Sequence, residues 1–289
     1  QVGILPTSFQ QPLTLQLGGS DPDMVAQAAA KAQALGHTDF NLNCGCPSSK
    51  VAGAGAFGAA LMLRPDLVAR ILEAVREAAP NLRLSVKCRI GVVHELRDAD
   101  RPWGDFLLSF VDDVHRLSGV DTFYVHARVG VLDLSPAHNR SVPPLLHSEV
   151  YNLAACRPSL QIHINGGVGS YDDVSTHLGH DLAGVMVGRH AWADPWWFAT
   201  SRDSEPLTRA KVIDQYLGCL DEDSYVSYSA QVSPLARLVL GIPGAGAFRR
   251  KLDELRAQGA YSAITSATSL LDKTALHAPL ISEQASSTQ

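Results

Sequence analysis

Two cysteines stand one residue apart in "NLNCGCPSSK" (41–50), with Gly45 between them and Pro47 directly after. Such a pair can be a metal clip, half of a disulfide, a packed apolar pair or a thiol aimed at a substrate. A zinc site would need further ligands at short spacing. Cys88, Cys156 and Cys219 are scattered singly, so no metal is expected. A Cys44–Cys46 disulfide would close a very small, strained ring. Cys44, inside the strand-to-loop turn, suits packing, the common fate of a cysteine. Cys46 lies further out, ahead of Pro47, Ser48 and Ser49. By itself it suits packing and chemistry equally.

Lys87 interrupts the otherwise apolar run of "LSVKCRIG" (84–91). An unpaired buried ammonium is costly. The side chain therefore snorkels from the strand end, meets an anion or an electron-rich ring, or serves as a Schiff-base amine. "HINGGVGS" (163–170) and "VMVGRHA" (185–191) each run from strand through glycine into a helix start. Such glycines let the backbone approach a phosphate, to which helix N-terminal amides donate. One Gly-Gly pair is ordinarily a plain turn; two loops in register, with Arg189 beside one, point to a phosphate. Gln16, His126 and Asn165 add neutral hydrogen-bonding groups. A lone strand-end histidine is more often structural, yet here the set describes a pocket for a planar heteroaromatic ring with a phosphate tail. Flavin mononucleotide (FMN) fits that description.

The elements that must position these groups are legible as short β-rich runs. They are "LTLQL" (13–17), "FNLN" (40–43), "LSVKC" (84–88), "TFYVH" (122–126, after Asp121), "QIHIN" (161–165) and "GVMVG" (184–188). Helical patterns separate them. "SDPDMVAQAAAKAQALG" has Ser20 or Asp21 as a cap, Pro22 in its first turn and Gly36 as a stop. "RPDLVARILEAVREAA" carries one apolar stripe of Leu67, Val68, Ile71, Leu72 and Val75. "DFLLSFVDDVHRL", "VYNLAACR" and "SYDDVSTHLG" are read as helices too. Alternating strand and helix predicts a parallel sheet with helical crossovers. Gln16, Asn43, Lys87, His126, Asn165 and Arg189 all stand at C-terminal strand ends, which converge only in a barrel. The expected fold is a (β/α)8 TIM barrel, although six strands are found where closure takes eight. From about residue 206 the pattern becomes purely helical. The expected division is a barrel domain (1–205), a helical domain (206–260) and an extension (261–289) whose polar tail "ISEQASSTQ" is disordered.

Hydrophobic residues make up 46% and charged residues 18% of the 289, as in a globular protein with a substantial core. A net charge of −5 leaves no global footprint for nucleic acid, so such binding would need a local basic patch. No apolar run approaches the roughly 18 residues of a membrane span. Five cysteines, an odd number over a long chain, argue for a reducing compartment. The chain begins at Gln1, so a segment upstream is expected.

In order and spacing, eight motifs make the chain resemble the tRNA-dihydrouridine synthases, and most the branch acting on the D-loop around position 20. They are "LQLGGSDP" (15–22), "NLNCGCPS" (41–48), "VKCRIG" (86–91), "HAR" (126–128), "LSPAHNRSVPPL" (134–145), "INGGV" (164–168), "GVMVGR" (184–189) and "GIPGAGAFRR" (241–250). The resemblance implies an FMN-bearing barrel and a helical domain, with NADPH as reductant and a tRNA D-loop uridine as substrate. It implies Cys46 as the acid and Asn43 as the holder of the target uracil. Gln16, Lys87 and His126 fall on ring-binding positions. Asn165, Gly166, Gly167, Gly188 and Arg189 fall on the phosphate loops, and Arg140 and Arg249 on tRNA-contacting positions.

The family opens with two further strands, which accounts for six in place of eight and implies an N-terminally incomplete chain. On the RNA side, Ala137, Gly246 and Val129 stand where relatives carry cations, and the loop after His126 is one residue shorter. Each lost cation weakens phosphate binding, while Arg249, Arg250 and Lys251 remain. A monomeric cytoplasmic protein without membrane contact is expected, with an organelle left open by any upstream segment. Two rival functions carry their own marks: a Schiff-base aldolase with Lys87 as nucleophile, and a non-catalytic tRNA-binding remnant.

Overall fold

A computed structural model of the chain describes residues 13–47, 57–198, 207–220, 227–258 and 264–278. Two compact units divide between Val187 and Gly188. The change of pattern read at residue 206 thus falls inside the second unit. Ser48, Ser49 and the tail 281–289 lie outside the described residues.

In the first unit each of the six β-rich runs forms a strand: β1 (Thr14–Leu17), β2 (Asp39–Asn43), β3 (Arg83–Arg89), β5 (Thr122–His126), β7 (Gln161–Asn165) and β8 (Gly184–Met186). They make one parallel sheet in chain order, β1-β2-β3-β5-β7-β8. A doubly wound sheet would place later strands on both sides of the first. Strictly sequential order is that of a barrel wall. Among the described residues β1 and β8 pair with no further strand. Two short strands that sequence reading misses, β4 (Val92–Val93) and β6 (Gly130–Val131), pair only with each other.

The strands alternate strictly. Phe40, Leu42, Val86, Cys88, Phe123, Val125, Ile162 and Ile164 point to one face and are buried in the main core. The intervening positions carry Gln16, Asn41, Asn43, Ser85, Lys87, Tyr124, His126, His163 and Asn165. The helices cover the apolar face. Pro22–Ala34 starts where the Asp21 carboxylate accepts from the Met24 amide at 3.0 Å. Pro65–Ala78 buries Val68, Ile71, Leu72 and Val75, each worth about 1.5–3 kcal/mol of transfer free energy. Gly104–Ser118 ends on Gly119, whose φ of 66° gives the left-handed cap that glycine accommodates. His147–Cys156 and Tyr171–Leu178 follow, the latter with a capping box of Ser170 and Asp173.

The second unit has its own core around Ile213, Leu235, Leu238, Phe248 and Leu252. Its longer helices are Arg209–Leu217, Tyr228–Leu238 and Ala245–Gln258. No helix is long and apolar enough to cross a membrane, among the described residues.

Candidate active site at the strand ends

The parity of the strands puts the polar side chains on one face, and the register stacks them toward the C-terminal ends. Gln16 lies beside Asn41, Asn43 beside Lys87, Lys87 beside Tyr124, and His126 between Arg89 and Asn165. Hydrogen bonds tie these positions together. Gln16 donates to Asn41 Oδ1 at 2.8 Å, and Asn41 donates to Ser85 Oγ at 3.0 Å. Asn43 Nδ2 donates to Gln16 Oε1 at 3.1 Å.

Asn43 also shapes the cysteine turn. Its Oδ1 accepts from the amides of Gly45 (3.0 Å) and Cys46 (3.1 Å), a side-chain cap on a tight turn. The Cys44 amide continues the ladder onto the Lys87 carbonyl at 2.7 Å. Cys44 is fully buried, and burial, with Cys88 adding, pushes its thiol well up. It is a packing residue. Cys46 is half-buried, and its carbonyl accepts from the Ala59 amide at 2.8 Å. The two thiols of one short motif therefore have opposite surroundings.

Lys87 is half-buried and donates to Asn165 Oδ1 at 3.3 Å; no carboxylate pairs with it among the described residues. Burial, reinforced by the charge of Arg89 and opposed by Cys88, brings its ammonium down to about 8. Asn165 in turn donates to the Met186 carbonyl at 2.8 Å, which fixes its amide between β3 and β8. Gly166 and Gly167 have φ of 118° and 80°. A Cβ on Gly166 would stand 2.8 Å from His126 Cδ2, so the histidine ring lies directly on that glycine. His147 Nε2 contacts the Gly166 carbonyl at 3.0 Å from the other side.

Arg89, which the sequence reading did not single out, is only 5% exposed at the end of β3. Its Nε donates to the Gly45 carbonyl at 2.8 Å, and Nη1 to the carbonyls of Val129 (3.1 Å) and Asn139 (3.5 Å). Burial brings this guanidinium down to about 10; the Cys46 thiol opposes that, and Arg128 and Arg140 add to it. Strand parity alone flags Arg89, since it shares the face of Lys87. Asn139 is also new: fully buried, it donates to the carbonyls of Val131 (2.7 Å) and Leu134 (2.9 Å) and so knits the loop that ends on exposed Arg140.

Gln16, Asn43, Cys46, Lys87, His126, Asn165, Gly166 and Gly167 are thus gathered at one edge of one sheet. The first-unit cavity of about 440 Å3 beside Val93, His94 and Arg101 is lined by none of them. Gly188 and Arg189 open the second unit, where Gly188 precedes the short helix Arg189–Ala193. Arg249 lies on the helix Ala245–Gln258 and lines a groove of about 390 Å3 with Trp192, Arg237 and Asp253.

The family model for dihydrouridine synthase (Dus) matches residues 3–275. The chain belongs to the dihydrouridine synthase family. Several relatives carry the name tRNA-dihydrouridine(20/20a) synthase. That of Xanthomonas axonopodis pv. citri is 41% identical over 256 residues, covering 85% of this chain and 72% of its own. That of Synechocystis is 39% identical over 85% of this chain and 73% of its own, and that of Shewanella oneidensis 38% over the same shares. Membership in the Dus family accounts for the motifs recurring in order. The geometry shows what those motifs build: a turn presenting one thiol, a cation with no acid partner among the described residues, and a glycine pair at positive φ packed against His126 and Leu145.

Proposed function

We propose that the protein reduces a uridine in the D-loop of tRNA to 5,6-dihydrouridine, with FMN as its bound cofactor and NADPH as reductant. One observation carries this proposal. Among the described residues the half-buried Lys87 has a neutral partner and no acid, and it stands beside Asn43, which caps the turn holding Cys46. A cation so placed favours an electron-rich ring. Gly166 and Gly167, with positive φ and no Cβ, leave their backbone open to a phosphate, so these residues fit a flavin nucleotide.

In this scheme Gln16, Lys87 and His126 hold the ring, and Asn165, Gly166 and Gly167 serve its phosphate side. FMN held there would supply the hydride that C6 of the uracil needs. Asn43 holds the uracil, and the Cys46 thiol gives its proton to C5 from the opposite face, then regains one from solvent. A thiol keeps its proton at neutral pH yet can part with it, which suits a general acid. Lys87 offsets negative charge on the ring. The target base must leave the folded RNA to reach this edge. Arg140 and Arg249 contact RNA phosphates, and the groove joining Arg249, Arg237 and Trp192 offers cations and an aromatic face for it.

A second proposal rests on Lys87 near 8, which would also suit a Schiff-base amine. The test is a visible spectrum of the purified protein with an assay of tRNA reduction by NADPH. Flavin absorbance and a gain of two hydrogens on one D-loop uridine are expected. A colourless protein trapped on Lys87 by borohydride would select the aldolase, and a colourless, inert protein that binds tRNA would select the remnant.

A further inference from the structure

Arg89 has no part in the scheme above, yet it is among the most deeply buried charges of the first unit. No carboxylate accompanies it among the described residues. Its acceptors are instead backbone carbonyls from separate places in the sequence: Gly45 in the cysteine turn, Val129 after β5, and Asn139 in the loop ending on Arg140. The surroundings are shaped to it. A Cβ on Gly130 would stand 3.0 Å from Arg89 Cδ, so that glycine makes room for the arginine stem. Asn139, whose own carbonyl is one acceptor, is locked by bonds to Val131 and Leu134. A planar fork reaches acceptors in several directions at once, which an ammonium on a flexible stem does not. Nothing in the packing of β3 requires a charge there, since the residues on either side, Cys88 and Ile90, are fully buried and apolar.

We propose that Arg89 is a positioning residue: it clamps the Gly45–Cys46 turn to the loop bearing Arg140, so that the thiol and the RNA-facing loop meet the pyrimidine in fixed register. This deepens the proposed uridine reduction and rests on it. Flavin binding and its reduction by NADPH need neither the thiol nor the Arg140 loop. The clamp therefore acts on one half of the catalytic cycle only.

The experiment uses the flavin-loaded protein with Arg89→Met and Arg89→Lys. Flavin content and the rate of reduction by NADPH are expected to stay within about twofold. Single-turnover transfer to tRNA should fall by about 10- to 100-fold in both, as for a reacting group displaced by about an ångström. In the flavin-free protein, iodoacetamide should alkylate Cys46 several-fold faster in the variants, read peptide by peptide because Cys156 and Cys219 are exposed. Equal loss in both half-reactions, transfer at the parent rate, or full recovery by lysine would each overturn the clamp. Should Arg89→Met not fold, Arg89→Lys decides alone on the same readouts. A parent protein that reduces no uridine would sink the proposed function instead; the alkylation rates would still test whether Arg89 fixes the turn.

Discussion

Strand β3 carries cations at both ends, and the two ends treat them differently. At the N-terminal end Arg83 donates to the Asp39 carboxylate of β2 at 2.7 Å, with the arginine side chain 76% exposed. At the C-terminal end Lys87 and Arg89 are set into the protein with amide and carbonyl oxygens as their partners. The first arrangement satisfies charge with charge and leaves nothing for a ligand. Among the described residues the second keeps two positive charges in low dielectric with no acid beside them, which costs stability. One strand thus separates charge paired with charge at one edge of the sheet from charge met by neutral oxygens at the other, the edge of the proposed site.

The largest effects should come from the C-terminal edge. Cys46→Ala should lower uridine reduction by about 10²- to 10⁴-fold, the usual worth of a positioned acid, while flavin content is unchanged. Stopped-flow oxidation of the reduced protein by tRNA reads this. Turnover at the parent rate would remove the thiol from the chemistry. Gly166→Val comes next. Its φ of 118° excludes a β-branched residue, and the Cβ would strike the His126 ring. Strain of about 1–3 kcal/mol should raise the FMN dissociation constant by roughly 10- to 100-fold in a fluorescence titration, and the uridine step should suffer only through lost cofactor.

Lys87→Met sharpens the contrast, because it should weaken FMN binding yet stabilise the flavin-free protein. The folded-state ammonium titrates near 8 against an ordinary value of 10.5. The unfolded chain therefore binds the proton more tightly, and the charged form works against folding. At pH 7 a shift from 10.5 to about 8 corresponds to about 3 kcal/mol, which the partial exposure of the side chain reduces. It is relieved as pH rises from about 8 to 10.5, so parent and variant stabilities should converge there in urea titrations. A variant less stable than its parent at pH 7 would show that Lys87 is well solvated after all.

Much of this was legible in the sequence because short β-rich runs alternate with helical patterns. Those runs placed Gln16, Asn43, Lys87, His126 and Asn165 at strand ends, and the need for those ends to converge favoured a barrel over an open sheet. Strand parity puts Arg89 on the face of Lys87, but its clamp was not legible: its acceptors at 45, 129 and 139 belong to three loops, and no local pattern records that they meet. The paired two-residue strands β4 and β6 are too short to carry a periodic signal. In the second unit the helix Tyr228–Leu238 is capped by Ser227 and carries Pro234 inside it. The backbone bond the proline cannot donate to the Ala230 carbonyl is replaced by one from Ser233 Oγ at 3.3 Å.

The smallest effect belongs to the opposite edge. Burial pushes the Asp39 carboxyl up, but its hydrogen bonds to Arg83 and Thr38 and the arginine charge outweigh that and hold it below its ordinary value. A carboxylate lowered in the folded state stabilises above its unfolded pKa, and the gain is lost as pH falls through the folded value. Arg83→Gln should therefore cost only about 0.2–1 kcal/mol at pH 7, as exposed pairs do. The cost should shrink as pH falls below the ordinary carboxylate value and vanish once the aspartate is protonated in both states. Flavin affinity and Cys46 alkylation should not move, because the polar partners differ: Asp39 for Arg83 and Asn165 for Lys87. If removing Arg83 loosened the flavin, the two edges would be coupled through the sheet, and the separation of structural from functional charge along β3 would fail.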